Sequence, residues 1–206
     1  MKELSHIALG VQASTTMAID ALFKQMKADG EDVIGFAAGE PDFPTPEHIK
    51  EAGIAAIRGN FTKYTPSSGS LELKRAVCDR MKADIGVEYT PNQVVIASGA
   101  KPAVYLALRA VVNPGDEVIL PMPAWVSYYE LIRMVGGIPV TVPATEKEHF
   151  KISAEKLESA ITPHTKAVIL NNPSNPTGMV YDAAQLKALT DVCVKHDLYI
   201  IADEIY

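Results

Sequence analysis

"TKAVILNNPSNPTG", residues 165–178, decides how this chain folds. Residues 167–170 form an apolar run too short for a helix and without polar alternation, the pattern of a strand covered on both faces. Two Asn-Pro steps and a glycine follow at once. Proline removes an amide donor and ends sheet pairing, so the strand must stop there. What remains is a stiff loop holding the Asn175 amide at the rim of a sheet, stiffer still where an X-Pro bond is cis. A strand buried on both faces belongs to a mostly parallel sheet between helices.

The neighbouring sequence has the same rhythm. Moving toward the N-terminus, "GIPVTVP" (137–143), "GDEVILP" (115–121) and "NQVVIASGA" (92–100) each read as a strand. Helical patterns separate them at 101–112, 124–136 and 153–161. Toward the C-terminus, Asp182 and Gln185 form a capping box opening a helix over 183–197, and "LYIIADEIY" (198–206) is a fifth strand. Strands alternating with helices predict an α/β fold with three α/β/α layers. Upstream, helices are expected over 14–30, ending at Gly30, over 45–59 with Thr45 as N-cap, and over 70–86, with a short strand from residue 32.

The bulk numbers narrow the function. Apolar residues make up 48% of the 206 and charged ones 21%, the balance of an ordinary soluble globular protein. A net charge of −6 argues against a nucleic-acid-binding face. No apolar stretch reaches membrane-spanning length and no signal-peptide core opens the chain, so a cytoplasmic protein is expected, with no membrane partner. The two cysteines, Cys78 and Cys193, lack metal-like spacing and read as packed thiols; no metal is expected.

In parallel sheets ligands collect beyond the carboxyl ends of the strands. Four of the five strand ends are chemically suggestive. "SGAK" (98–101) opens a helix, whose first amides favour an anion; without a ligand it is a tight turn. Asp203 ends an apolar strand and needs a partner, either backbone amides or a cationic ligand atom. Tyr206 shares that rim if the chain bends, whereas Glu204 points to the opposite face if the strand persists. Trp125 follows "PMP" and is either a core residue or a plate for a planar ring. With Asn175 these features describe a socket for a planar, phosphorylated, nitrogen-containing ring.

On "GEPDFPTPEHI", "YTPSSGSLELKRAV", "ASGAKPAVYLAL", "PMPAWVSYY", "NNPSNPTG" and "ADEIY", in that order, the chain resembles the class I aminotransferases of the type I pyridoxal-phosphate fold, near the bacterial aspartate aminotransferase subgroup. The resemblance implies a cofactor, pyridoxal 5′-phosphate, held at its phosphate by Gly99, Ala100 and Lys101 and stacked on Trp125. It implies Asn175 and Tyr206 on the ring's phenolic oxygen and Asp203 on the ring nitrogen. Tyr64 would reach a phosphate across a homodimer, and Gly39 would lie over the substrate carboxylate beside Trp125 and Asn175. Cis bonds are implied before Pro123 and Pro176. Residues 1–45 would be an N-terminal arm and part of a small domain, and 46–206 the large, cofactor-binding domain.

The implied reaction moves an amino group from an L-amino acid, aspartate or a similar one, to a 2-oxo acid. Arg109 either approaches a distal carboxylate or is a solvated helix charge. The family's Schiff-base lysine is expected beyond Tyr206, so no catalytic residue is expected within these 206, and the chain is expected to be an inactive piece of a longer one. Two strands would then be missing between "VVIAS" and "KAVIL", leaving hydrophobic edges exposed. A lyase of the same fold and a non-catalytic module are the alternatives.

Overall fold

The computed structural model describes residues 2–12, 15–36, 39 and 41–206. In chain order the helices are α1 (His6–Gly10), α2 (Thr15–Ala28), α3 (Glu47–Arg58), α4 (Leu71–Ile85), α5 (Ala100–Val111), α6 (Val126–Met134), α7 (Ala154–Ser159) and α8 (Ala183–Lys195). The strands are β1 (Glu117–Met122), β2 (Ile138–Pro143), β3 (Thr165–Asn171) and β4 (Tyr199–Asp203). The chain divides into two compact units, one of residues 1–14 with 98–206 and one of residues 15–97.

The first unit is the α/β layer structure. Its four strands are all parallel, in the order β2-β1-β3-β4. Strand alternation sends Val118, Leu120, Ala167 and Ile169 to one face, where they pack with Leu108 of α5 and Tyr128 and Ile132 of α6. Ile119, Val168 and Leu170 go to the other, against Leu157 of α7 and Leu189 and Cys193 of α8. Both faces are therefore covered, which is why β1 and β3 carry unbroken apolar runs.

The connections reverse direction in the middle of this sheet. From β1 the chain steps outward to β2, then crosses back and continues from β3 to β4 on the other side. That switch point lies between the ends of β1 and β3, where a crevice opens in sheets of this kind. A cavity of about 20 Å³, room for one water, sits there between Pro123, Tyr128, Asn171 and Asn175.

Three sequence expectations fail here. The stretch "NQVVIAS" forms no strand: a 3-10 turn covers Pro91–Gln93, and Ile96 N–H donates to the Ser68 carbonyl of a loop. A strand needs a neighbour, and apolar patterning alone does not supply one. The described part of the stretch from residue 32 shows no strand either, while Ala37 and Ala38 lie outside the described residues. The expected gap beside "KAVIL" is also absent, because β3 is paired on both sides, by β1 and β4. The edge strands are β2 and β4, and on β4 Tyr199 and Ile200 are exposed.

The second unit holds α2, α3 and α4. Helix α3 starts one residue later than expected, with Pro46 rather than Thr45 at the N-cap and no side-chain cap, and ends at Gly59 as expected. Ser70 caps α4 by accepting from Leu73 N–H, and Gly86 ends it in the left-handed region. Among the described residues only Lys74 and Cys78 are buried in this unit.

Candidate functional site

The strand ends of the first unit bring Lys101, Trp125, Asp203, Asn175 and Tyr206, of the expected residues, into one run of contacts. At the start of α5, Gly99 is the N-cap, with φ 102 and ψ 168 and no side-chain cap. That backbone region is essentially closed to any residue but glycine, and nothing lies within 4 Å of where a Cβ would stand. The amides of Ala100 and Lys101 head the helix without intrahelical partners, and Pro102 has no amide to satisfy. The helix therefore offers free N–H groups and a positive dipole end to whatever approaches.

Lys101 extends over Trp125, its Nζ 4.9 Å from the ring centroid. Trp125 is half-buried at the N-cap of α6, just past the cis Met122–Pro123 bond. Its ring meets Tyr128 edge-on, with centroids 5.2 Å apart and planes at 87°. The Tyr128 hydroxyl in turn donates to Asp203 Oδ2 at 2.6 Å.

Asp203 is 7% exposed. Its other oxygen, Oδ1, accepts from Ile205 N–H at 3.2 Å, the local turn by which an aspartate bends its own chain. This turn ends β4 at Asp203, so Glu204 lies outside the strand and is exposed rather than facing across the sheet. Both donors to the carboxylate are neutral, and among the described residues no Lys, Arg or His pairs with it. A buried carboxylate without a counter-ion is costly, so the site is suited to a cationic N–H from a ligand.

The Asn-Pro loop closes the circuit. Asn171 Nδ2 donates to the Asp203 carbonyl at 2.9 Å, and its Oδ1 accepts from Asn175 N–H at 2.7 Å. Asn175 Nδ2 then donates to the Tyr206 hydroxyl at 2.6 Å. Asn172 fastens the far end of the loop, its Oδ1 accepting from Tyr181 N–H at 2.8 Å. The bonds before Pro123 and Pro176 are cis, as is the one before Pro173. The two asparagines ahead of the loop are thus its stitching, and Asn175 is what they hold in place.

Tyr128, Asn171 and Asn172 were not singled out from sequence. For Tyr128 a signal existed: it lies three residues after Trp125 on one helix, hence on the same face. The other two look like ordinary strand-ending residues until their bonds are seen. Gly39 and Tyr64 belong to the second unit, where Gly39 is exposed and Tyr64 fully so. Ala38 and Glu40, which flank Gly39, lie outside the described residues.

Burial shapes the protonation of the tyrosines. The Tyr128 phenol is pushed far above its ordinary range by desolvation first, then by its bond to Asp203 and the charge there. It is a neutral donor at any ordinary pH. Tyr181, whose hydroxyl accepts from Ile152 N–H at 2.9 Å, is also raised by burial.

Comparison with known proteins gives the family of the chain. The family model for aminotransferase class I and II matches residues 31–206. The aspartate aminotransferase of Geobacillus stearothermophilus is 51% identical over 206 residues, all of this chain and 52% of that protein. That of Bacillus subtilis (strain 168) is 50% identical over 193 residues, 94% of this chain and 49% of the relative. Among solved structures, an aspartate aminotransferase from Thermus thermophilus with maleate superposes with a TM-score of 0.97 at 41% identity, over 100% of this chain and 54% of that one. An alanine aminotransferase from Pyrococcus furiosus gives 0.93 at 33% identity, over 99% and 52%. The chain spans about half the length of the curated relatives it matches. Among the described residues no helix is long and apolar enough to cross a membrane.

Proposed function

Because this chain belongs to the class I and II aminotransferases, we propose that it builds the pyridoxal-phosphate socket of an enzyme moving an amino group from an L-amino acid to a 2-oxo acid. The observation that carries this is the unbroken path Lys101–Trp125–Tyr128–Asp203–Asn171–Asn175–Tyr206. It joins an anion-binding helix end, an aromatic plate, a buried acid and a fixed amide on one rim.

The donor set fits the cofactor. The free amides at Gly99, Ala100 and Lys101, with the Lys101 ammonium, suit a phosphate dianion. Trp125 offers its face to the ring. The uncompensated Asp203 carboxylate suits a protonated pyridine nitrogen, and the Asn175–Tyr206 pair suits a phenolic oxygen. When bound, pyridoxal phosphate supplies the carbonyl that receives the amino group and a protonated ring that draws electrons from the α-carbon.

The chain's own residues then have distinct tasks. Asp203 keeps the ring nitrogen protonated, because a carboxylate beside it in a dry site favours the charged form. Trp125 fixes the ring plane, and Asn175 and Tyr206 fix its rotation within that plane. Preorganisation of this kind means the site need not reorder as charge develops. Gly39 is assigned to the substrate carboxylate with Trp125 and Asn175, and Tyr64 to the phosphate bound by a second copy in a homodimer. The division into residues 1–45 and a large domain over 46–206, and a cytoplasmic location, belong to the same reading. The aspartate aminotransferases among the relatives make aspartate the first amino acid to try.

The test is a half-reaction. Because the chain spans about half the length of its relatives, the assay uses a protein of their full length that contains it. Loaded with pyridoxal phosphate and given L-aspartate alone, it should release 2-oxo acid equal to the bound cofactor, then stop until another 2-oxo acid is added. Bound cofactor with no 2-oxo acid formed from aspartate or any other L-amino acid would refute the assignment.

A further inference from the structure

Building on the cofactor reading above, we infer that Tyr128 is the positioning residue of this site: its hydroxyl aims the Asp203 carboxylate and its ring steadies Trp125. One side chain thereby sets both the acid for a ring nitrogen and the plate beneath the ring.

The geometry is specific. Tyr128 is 1% exposed and touches both groups, Trp125 at 5.2 Å between centroids and Asp203 Oδ2 at 2.6 Å. Helix α6 delivers Trp125 at its N-cap and Tyr128 one turn later, so the two move as one body. With Ile205 N–H on Oδ1, each carboxylate oxygen has one donor and the group has lost its freedom to rotate.

The kind of donor matters as much as its place. A Lys, Arg or His⁺ against Asp203 would orient it equally well but would cancel the charge a protonated ring nitrogen needs. A phenol too buried to ionise orients without neutralising. Facing a carboxylate, which has no proton to give, the hydroxyl can only donate in this contact, so the carboxylate keeps its charge for one cationic N–H. Burying an acid beside a neutral donor is a poor choice for stability alone. It is a good one for a site that waits for a cation.

The experiment uses the full chain and two probes, pyridoxamine phosphate and its deaza analogue, in which C–H replaces the ring nitrogen. Binding is read from the fluorescence of Trp125, the chain's sole tryptophan. The quantity followed is the ratio of the two affinities, which lost packing does not move. The parent should prefer pyridoxamine phosphate, and Tyr128→Phe should cut that preference about tenfold, the loss expected if the competent carboxylate orientation falls to about a tenth of the population. Asp203→Asn should abolish the preference. Tyr128→Met removes the same donor and gives a second reading of the ratio if the Phe variant does not melt cooperatively. An unchanged ratio in either Tyr128 variant overturns the inference while leaving the cofactor reading intact. Failure of the parent to bind either probe overturns the cofactor reading, and the role of Tyr128 with it.

Discussion

Asn171→Ala tests whether the Asn-Pro loop is held as described. The substitution removes two hydrogen bonds, one to the Asp203 carbonyl at 2.9 Å and one from Asn175 N–H at 2.7 Å. The carbonyl keeps a second donor, Asn172 N–H at 3.1 Å, so it is not orphaned and its share is about 1 kcal/mol. The Asn175 amide keeps no protein partner, and losing its bond costs about the same or somewhat more. The total is about 2 kcal/mol, readable as a lower urea midpoint at unchanged slope. Locally, amide exchange at Asn175 should quicken by up to about 30-fold, which is what 2 kcal/mol converts to. Asn171→Asp separates the two bonds: it keeps the acceptor for Asn175 N–H but sets an oxygen against the Asp203 carbonyl. In that variant stability should fall while Asn175 stays protected. An unchanged urea midpoint and unchanged Asn175 exchange in Asn171→Ala would show that the asparagine does not stitch the loop.

Two further perturbations follow from the same structure. Gly99→Ala should cost on the order of 1–3 kcal/mol in urea unfolding from backbone strain alone, since φ 102 with ψ 168 is closed to alanine and the added Cβ meets nothing; parent-like stability would mean that the helix start is not built this way. Glu148 is held down to about 2, first by its hydrogen bond to Lys156 and then by the Thr145 amide and hydroxyl. A depressed carboxylate stabilises above its ordinary value and loses that contribution as pH falls, here from 4.5 toward 2. Glu148→Gln should therefore flatten the urea-midpoint profile across that window, and parallel profiles would argue against the bond.

How far the sequence carried depends on the kind of information each feature needed. The strands β1 to β4 and the helices between them were legible, because burial on both faces writes continuous apolar runs such as residues 167–170. Asp203, Trp125 and Asn175 stood out for a related reason: each sits where a polar or aromatic group interrupts such a run. Residues 94–97 were misread because apolarity signals burial, while a strand also needs a neighbour to pair with. The position of β4 beside β3 was likewise invisible, since strand order is set by contacts distant in sequence. Asn171 and Tyr128 act through bonds to Asp203, 32 and 75 residues away. No local pattern encodes a partner that distant, although the helical spacing of Tyr128 from Trp125 hinted at a shared face.

The central claim, that these strand ends form one socket for a phosphorylated pyridine, is tested most directly by a crystal structure of the chain with pyridoxamine phosphate. The expected density has the ring against Trp125, its nitrogen at Asp203, its phenolic oxygen at Asn175 and Tyr206, and its phosphate on the amides of residues 99–101. Density at another place, or a ring turned so that Asp203 faces carbon, would contradict it.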